Sequence, residues 1–135
     1  MKILIVDDEL NIRESLQLYF KKLGHKVFCA KDGQEGLMLL KKNTDMSICI
    51  FDYALTDYNG IALLCKAKLI AHKAIYIIMT GIGTSWNAVE SYNCGAYKFL
   101  KKPLILNEFS SILKRVEREQ TLYKKVDELR STWNT

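Results

Sequence analysis

Three acids stand together at Asp7-Asp8-Glu9, and a fourth, Asp52, ends the apolar run Ile48-Cys49-Ile50-Phe51. Thr80 ends a second apolar run that begins at Ala74, and Lys102 follows a short strand-like stretch, Tyr97-Lys98-Phe99-Leu100. Each of these polar residues closes a stretch of strand length. Carboxylates gathered in one pocket repel one another, and a hard cation relieves the repulsion. Mg2+ suits an all-oxygen donor set and keeps positions for water and a phosphate. A carboxylate is also a competent nucleophile toward phosphorus. A Lys ammonium and a Thr hydroxyl can then offset charge on the phosphoryl oxygens. The set therefore reads as a phosphoryl-accepting site centred on Asp52. The bland reading of Asp7-Asp8-Glu9 is N-capping of the following helix, but capping uses one acid and leaves the others unexplained. An attacking carboxylate needs no base, and the two histidines, His25 and His72, fall in helix-to-strand turns away from these residues. That argues against Ser/His or Cys/His chemistry.

For these side chains to meet, the strands carrying them must lie side by side. Lys2–Val6, Lys26–Ala30, Ser47–Asp52, Ala74–Thr80 and Tyr97–Leu100 read as strands, several of them continuous apolar runs that suit burial on both faces. Between them the spacing predicts helices. Ile12, Leu16, Tyr19, Phe20 and Leu23 share one face of a helix over 10–23 that Gly24 stops. Asp32 is a candidate N-cap for a helix through Lys42. Asn59-Gly60 closes the loop after Asp52 and leads into a helix over 61–71. A fourth helix is predicted over about 85–93, and the last begins near Ile105–Asn107. Strands alternating with helices predict a parallel sheet covered on both faces. Right-handed crossovers then favour an α/β, flavodoxin-like, doubly wound (βα)5 sheet with strand order 2-1-3-4-5. In that order neighbouring strands are about 4.8 Å apart, so Asp7, Asp8, Asp52, Thr80 and Lys102 converge at one sheet edge.

The last helix runs past what the sheet needs. Phe109, Ile112, Val116, Tyr123, Val126 and Trp133 keep a 3–4 spacing, with Glu119 and Arg130 at the remaining seam positions. Residues 1–115 are therefore read as one domain. Residues 116–135 are read as a helical extension, serving as a dimerisation segment or as a connector to an effector domain beyond 135.

The chain has 135 residues and a net charge of +5. It can bury a core without disulfide or metal staples. The positive charge is spread, with no basic run longer than two residues, so direct nucleic-acid binding is not expected. Cys29, Cys49, Cys65 and Cys94 lack metal-ligand spacing; three of them sit within apolar or helical patterns, so buried free thiols in a reducing compartment are the expectation. No apolar stretch approaches the ~20 residues of a membrane span, and no signal peptide opens the chain, so the expected location is the cytoplasm with no membrane contact.

Four segments together resemble the receiver domain of two-component response regulators, over residues 2 to about 115. They are ILIVDDE, FDYALTDYNGIALL, IIMTGIG and AVESYNCGAYKFLKKP. The resemblance implies a signalling switch, not a turnover enzyme. It implies that Asp52 accepts the phosphoryl group from a sensor histidine kinase or phosphotransfer protein. It implies that Mg2+ is held by Asp7, Asp8, Asp52 and the backbone carbonyl of Ala54. Lys102 pairs with the phosphoryl group, Thr80 moves to contact it, and Phe99 stands at the switch aromatic. The altered surface is that of the fourth helix, fifth strand and last helix, near Trp86, Tyr92, Tyr97 and Phe109. The resemblance also implies a cis Lys102–Pro103 bond.

This chain departs from the family at Thr56, where Pro is usual, and at Gly81, where Ala is frequent. Ala54 and Ile82 offer no polar group to orient an attacking water. The lifetime of the aspartyl phosphate is then expected to follow the bulk at Ile82 and the openness at Gly81. The alternative reading is a receiver-like interaction module that is not phosphorylated. A haloacid-dehalogenase-like phosphatase would need an acid two residues after Asp52, where Ala54 stands. A nucleotide-binding domain would need a Gly-rich loop after the first strand, which is absent.

Overall fold

The computed structural model describes residues 1–81 and 94–133. In chain order it contains β1 (Lys2–Val6), α1 (Leu10–Lys22), β2 (Lys26–Ala30), α2 (Gly33–Lys42), β3 (Ile48–Asp52), α3 (Gly60–Ile70), β4 (Ile75–Thr80), β5 (Lys98–Lys101) and a C-terminal helix, Leu106–Trp133. The helix expected over 85–93 lies outside the described residues, as do Ile82, Trp86 and Tyr92. The five strands form one sheet in the order β2-β1-β3-β4-β5, and every pairing is parallel. This is the expected doubly wound arrangement.

The chain falls into two compact units, Met1–Leu104 and Ile105–Thr135. The first holds the whole sheet. Its three inner strands are the continuous apolar runs, and burial explains their composition: Ile3–Val6 and Cys49–Phe51 have no exposed surface. A strand covered on both faces has no polar side to alternate with. β2, at the edge, keeps Lys26 exposed and Val27, Phe28 and Cys29 half-buried.

Local signals set most helix starts. Asp32 caps α2, its side chain accepting from the Glu35 N–H at 2.9 Å. Asn59 caps α3 through the Ala62 N–H at 2.7 Å, so α3 starts one residue before the expected position. At α1 the N-cap residue is Glu9, and its side chain makes no capping bond. Asp7 Oδ1 instead accepts the Glu9 N–H at 2.8 Å.

Of the four thiols only Cys49 is fully buried; Cys29 and Cys94 are half-buried and Cys65 is exposed. The expectation of a buried thiol fails at Cys65 because α3 turns Leu63, Leu64 and Ala67 inward. A helix of 3.6 residues per turn must then present position 65 to solvent.

Taken by itself, the C-terminal helix changes character along its length. Phe109, Ile112, Leu113 and Val116 are buried, whereas every described residue from Glu117 onward is exposed, including Leu122, Tyr123, Val126, Leu129 and Trp133. No described helix is long and apolar enough to cross a membrane.

Candidate functional site

Register brings the strand tips level. Val6 pairs with Phe51, Asp52 with Met79 and Thr80 with Lys101. The residue after β1, the last of β3, the last of β4 and the residue after β5 therefore share one rim of the sheet. Parallel sheets end this way because right-handed crossovers return each strand in the same direction. This carboxyl edge is where open α/β sheets hold their ligand sites.

Asp7, Asp8 and Asp52 each offer a carboxylate oxygen at this rim, all within 4.8 Å of one another. Asp7 and Asp52 are buried, with 0% and 4% of their surface exposed, and Asp8 faces solvent. The Lys102 ammonium reaches in from the β5 end. It stands 3.0 Å from Asp7 Oδ2, 3.3 Å from Asp52 Oδ2 and 3.6 Å from Glu9 Oε1. The contact to Asp7 is an ion pair by distance, yet Asp7 Oδ2 finds no partner with hydrogen-bond geometry. Two buried carboxylates share one cation, which leaves a net negative pocket.

The electrostatics follow from that imbalance. Burial raises the Asp52 carboxyl pKa, and the neighbouring Asp7 charge raises it further, to about 6 despite Lys102. Burial likewise pushes Asp7 above the ordinary carboxylate value, against the opposing Glu9 N–H and Lys102. Burial disfavours the Lys102 ammonium, but Asp7 and Asp52 outweigh it and hold its pKa above the usual value.

The donor set fits a small hard cation on its chemistry. It consists of three carboxylates, with a buried Asp7 oxygen lacking a hydrogen-bond partner. One oxygen from each of the three carboxylates lies within 4.8 Å of the others, close enough for Asp7, Asp8 and Asp52 to hold one small hard cation among them. Ala54, on the loop after β3, is exposed, and its N–H lies 3.4 Å from Asp52 Oδ1.

Thr80 is buried at the end of β4, and its carbonyl accepts the Lys102 N–H at 2.7 Å. This bond ties the backbone of the cation to the strand beside Asp52. The Lys102–Pro103 bond is cis, as the resemblance implies. Phe99 pairs with Ile78 and packs half-buried against the core. His25 contacts the N-terminal ammonium through Nδ1 at 3.0 Å, at the opposite end of β1 from Asp7.

A family model of the response regulator receiver domain matches residues 3–116. The chain belongs to this family. The receiver is 32% identical over 114 residues to sporulation initiation phosphotransferase F of Bacillus subtilis (strain 168), covering 84% of this chain and 91% of that one. It is 30% identical over 134 residues to the regulatory protein AtoC of Escherichia coli (strain K12), covering 99% of this chain but only 29% of AtoC. Among solved structures, a response regulator receiver domain protein from Clostridium thermocellum superposes with a TM-score of 0.82 at 28% identity, covering 90% of this chain and 98% of that one. A CheY-like receiver domain protein from Methanospirillum hungatei JF-1 gives 0.80 at 30% identity, covering 89% and 96%. As a receiver, the chain is a signalling switch domain of two-component systems.

The sequence reading of the receiver missed three contacts at this rim. Glu9 joins the Lys102 cluster. The Arg13 guanidinium donates to the Asp7 carbonyl at 2.6 Å. Asp57, two residues before the end of its own loop, reaches the start of α2. The first two could have been suspected from the spacing of Glu9 and Arg13 after Asp7; the third pairs residues too distant in sequence to leave a local signal.

Proposed function

We propose that this receiver is a phosphorylation-controlled switch in which Asp52 accepts a phosphoryl group from a sensor histidine kinase or phosphotransfer protein. One observation carries the reading: the Lys102 ammonium bridges the buried Asp7 and Asp52 carboxylates, at 3.0 and 3.3 Å, inside a three-aspartate cluster. A buried acid pair is costly unless it has a task that needs both charges.

In this reading Asp52 attacks phosphorus with one carboxylate oxygen. The bond from phosphorus to the donor imidazole nitrogen breaks, its electron pair stays on that nitrogen, and the product is an acyl phosphate on Asp52. The nucleophile must be ionised. With its carboxyl pKa pushed up to about 6, Asp52 is mostly carboxylate above pH 7. Lys102 is already positioned by Asp7 and Thr80, and offsets charge on the incoming phosphoryl oxygens. Thr80 donates its hydroxyl to another of them. Asp7, Asp8, Asp52 and the Ala54 backbone carbonyl are the residues that would hold Mg2+. When bound, Mg2+ supplies further neutralisation of the phosphoryl charge.

An acyl phosphate adds roughly two negative charges beside Thr80 and Lys102. Thr80 moves toward it, Phe99 follows into the space released, and the surface around β5 changes its partner preference as a population shift. Residues 1–115 form the switch. Residues 116–135 extend it, and the exposed stripe Leu122, Val126, Leu129 and Trp133 suits pairing with a second copy or joining to an effector domain. The expected setting is the cytoplasm.

Incubation with acetyl phosphate and Mg2+ tests this directly. Peptide mass spectrometry is expected to find one phosphoryl group, on Asp52, with none after chelation and none on Asp52→Asn. Labelling of Asp52→Asn to the parental level, or an unlabelled parent, would sink the reading.

A further inference from the structure

The loop between β3 and α3 is closed at its base. The Gly60 N–H donates to the Tyr53 carbonyl at 2.7 Å, and Ala54 faces Asn59 across an antiparallel bridge. Gly60 allows this closure, since a Cβ there would stand 2.9 Å from both the Asp52 carbonyl oxygen and Tyr53 Cα. The tip of the loop is held from outside. Asp57 Oδ1 accepts the Gly33 N–H and Oδ2 the Gln34 N–H, each at 2.9 Å. The Tyr58 ring lies against Gly33, where any Cβ would collide with it and would come 3.2 Å from Asp57 Oδ1.

Helix α2 already has its own cap in Asp32. A second carboxylate brought from 24 positions away does more for the loop than for the helix. The loop contains no proline, so its backbone keeps broad freedom unless something outside anchors it. Partial positive charge at the helix start makes a carboxylate a good anchor. Burial opposes the charge, but backbone amides together, those of Gly33 and Gln34 foremost, hold the Asp57 carboxyl below its usual range, so the anchor stays charged at neutral pH.

We propose that Asp57 is a positioning residue: its carboxylate clips the phosphoacceptor loop to α2 and thereby sets where the Ala54 carbonyl stands relative to Asp7, Asp8 and Asp52. This inference rests on the reading of that carbonyl as a Mg2+ ligand.

Mg2+ titration of the unphosphorylated protein by isothermal calorimetry is the test. Groups that orient a metal ligand typically change affinity by ten- to a hundredfold, and Asp57→Ala is expected at the low end, about tenfold weaker. Asp57→Asn, which keeps one acceptor oxygen, falls between the parent and Asp57→Ala. The Mg2+ concentration giving half-maximal labelling by acetyl phosphate rises in step. Asp32→Ala removes α2's own cap without touching the loop; it lowers the thermal midpoint and leaves Mg2+ affinity at the parental value. Gly33→Ala, which pushes Tyr58 away, weakens Mg2+ binding as Asp57→Ala does, and carries the test if Asp57→Ala does not fold. Parental affinity in the Asp57 and Gly33 variants overturns the clip alone, as does an equal loss in Asp32→Ala. A parent that binds no Mg2+ overturns the site reading and the clip together.

Discussion

Replacing Lys102 by Met is expected to destabilise the metal-free protein by about 3 kcal/mol at pH 7.5, because removing one partner of a buried ion pair leaves uncompensated charge behind. The Lys102 side chain is only 15% exposed, and it serves both Asp7 and Asp52. Without it, two carboxylates face each other inside the rim with no cation. Their pKa values, already raised by burial, rise further in the folded state alone. The folded state then binds more protons than the unfolded state, so the variant loses stability as pH climbs through and beyond 6 and recovers much of it near pH 5. The parent ammonium, with a raised pKa, keeps its contribution at every pH below its unfolded value and loses it only in strong alkali. Urea denaturation at pH 5.0 and 7.5 in EDTA measures the difference. Equal stability of parent and Lys102→Met at pH 7.5 would show that the bridge carries no weight.

Asp52→Asn should act in the opposite direction. The carboxyl pKa is 3.8 in the unfolded reference and about 6 in the fold. A group with a raised folded pKa binds protons preferentially in the native state. For this acid, the stability held below pH 4 is lost as pH rises to about 6. The shift of roughly two units corresponds to about 3 kcal/mol. Asn has the same shape and stays neutral, so it escapes the loss. In EDTA, Asp52→Asn is expected to exceed the parent by about 3 kcal/mol at pH 7.5 and to match it near pH 4. Saturating Mg2+ narrows the gap, since the ion stabilises the parent by mass action and the variant less. A gain that does not vary with pH, or no gain, would remove burial and the Asp7 charge as its cause. Together the two variants frame a familiar trade: a site that strains the native state in order to act.

Much of this protein was legible residue by residue. Continuous apolar runs marked the inner strands because a doubly covered strand has no polar face. Asp32 marked the start of α2 because its side chain can bond only N–H groups close behind it. The acids, the Thr and the Lys were recognisable as one set because each follows a stretch of strand length, and parallel topology levels the ends of such stretches. The roles within that set were not legible. Nothing in Asp7-Asp8 says that the first is wholly buried and the second open; the pleat and the turn into α1 decide it. Nothing local says that Lys102 stands between Asp7 and Asp52 rather than in solvent.

The same limit explains Cys65 and Asp57. Composition suggested a buried thiol, and the phase of α3 turned it outward. Asp57 looked like one more polar residue in a loop, and only the fold brings the start of α2 against it. What the amino-acid order determined by itself was whatever rests on neighbours in the chain: periodicity, capping and the apolar runs that end in chemistry. What the tertiary structure alone decided was which charges share a pocket and how far each lies from water, since both depend on atoms contributed by segments far apart in sequence.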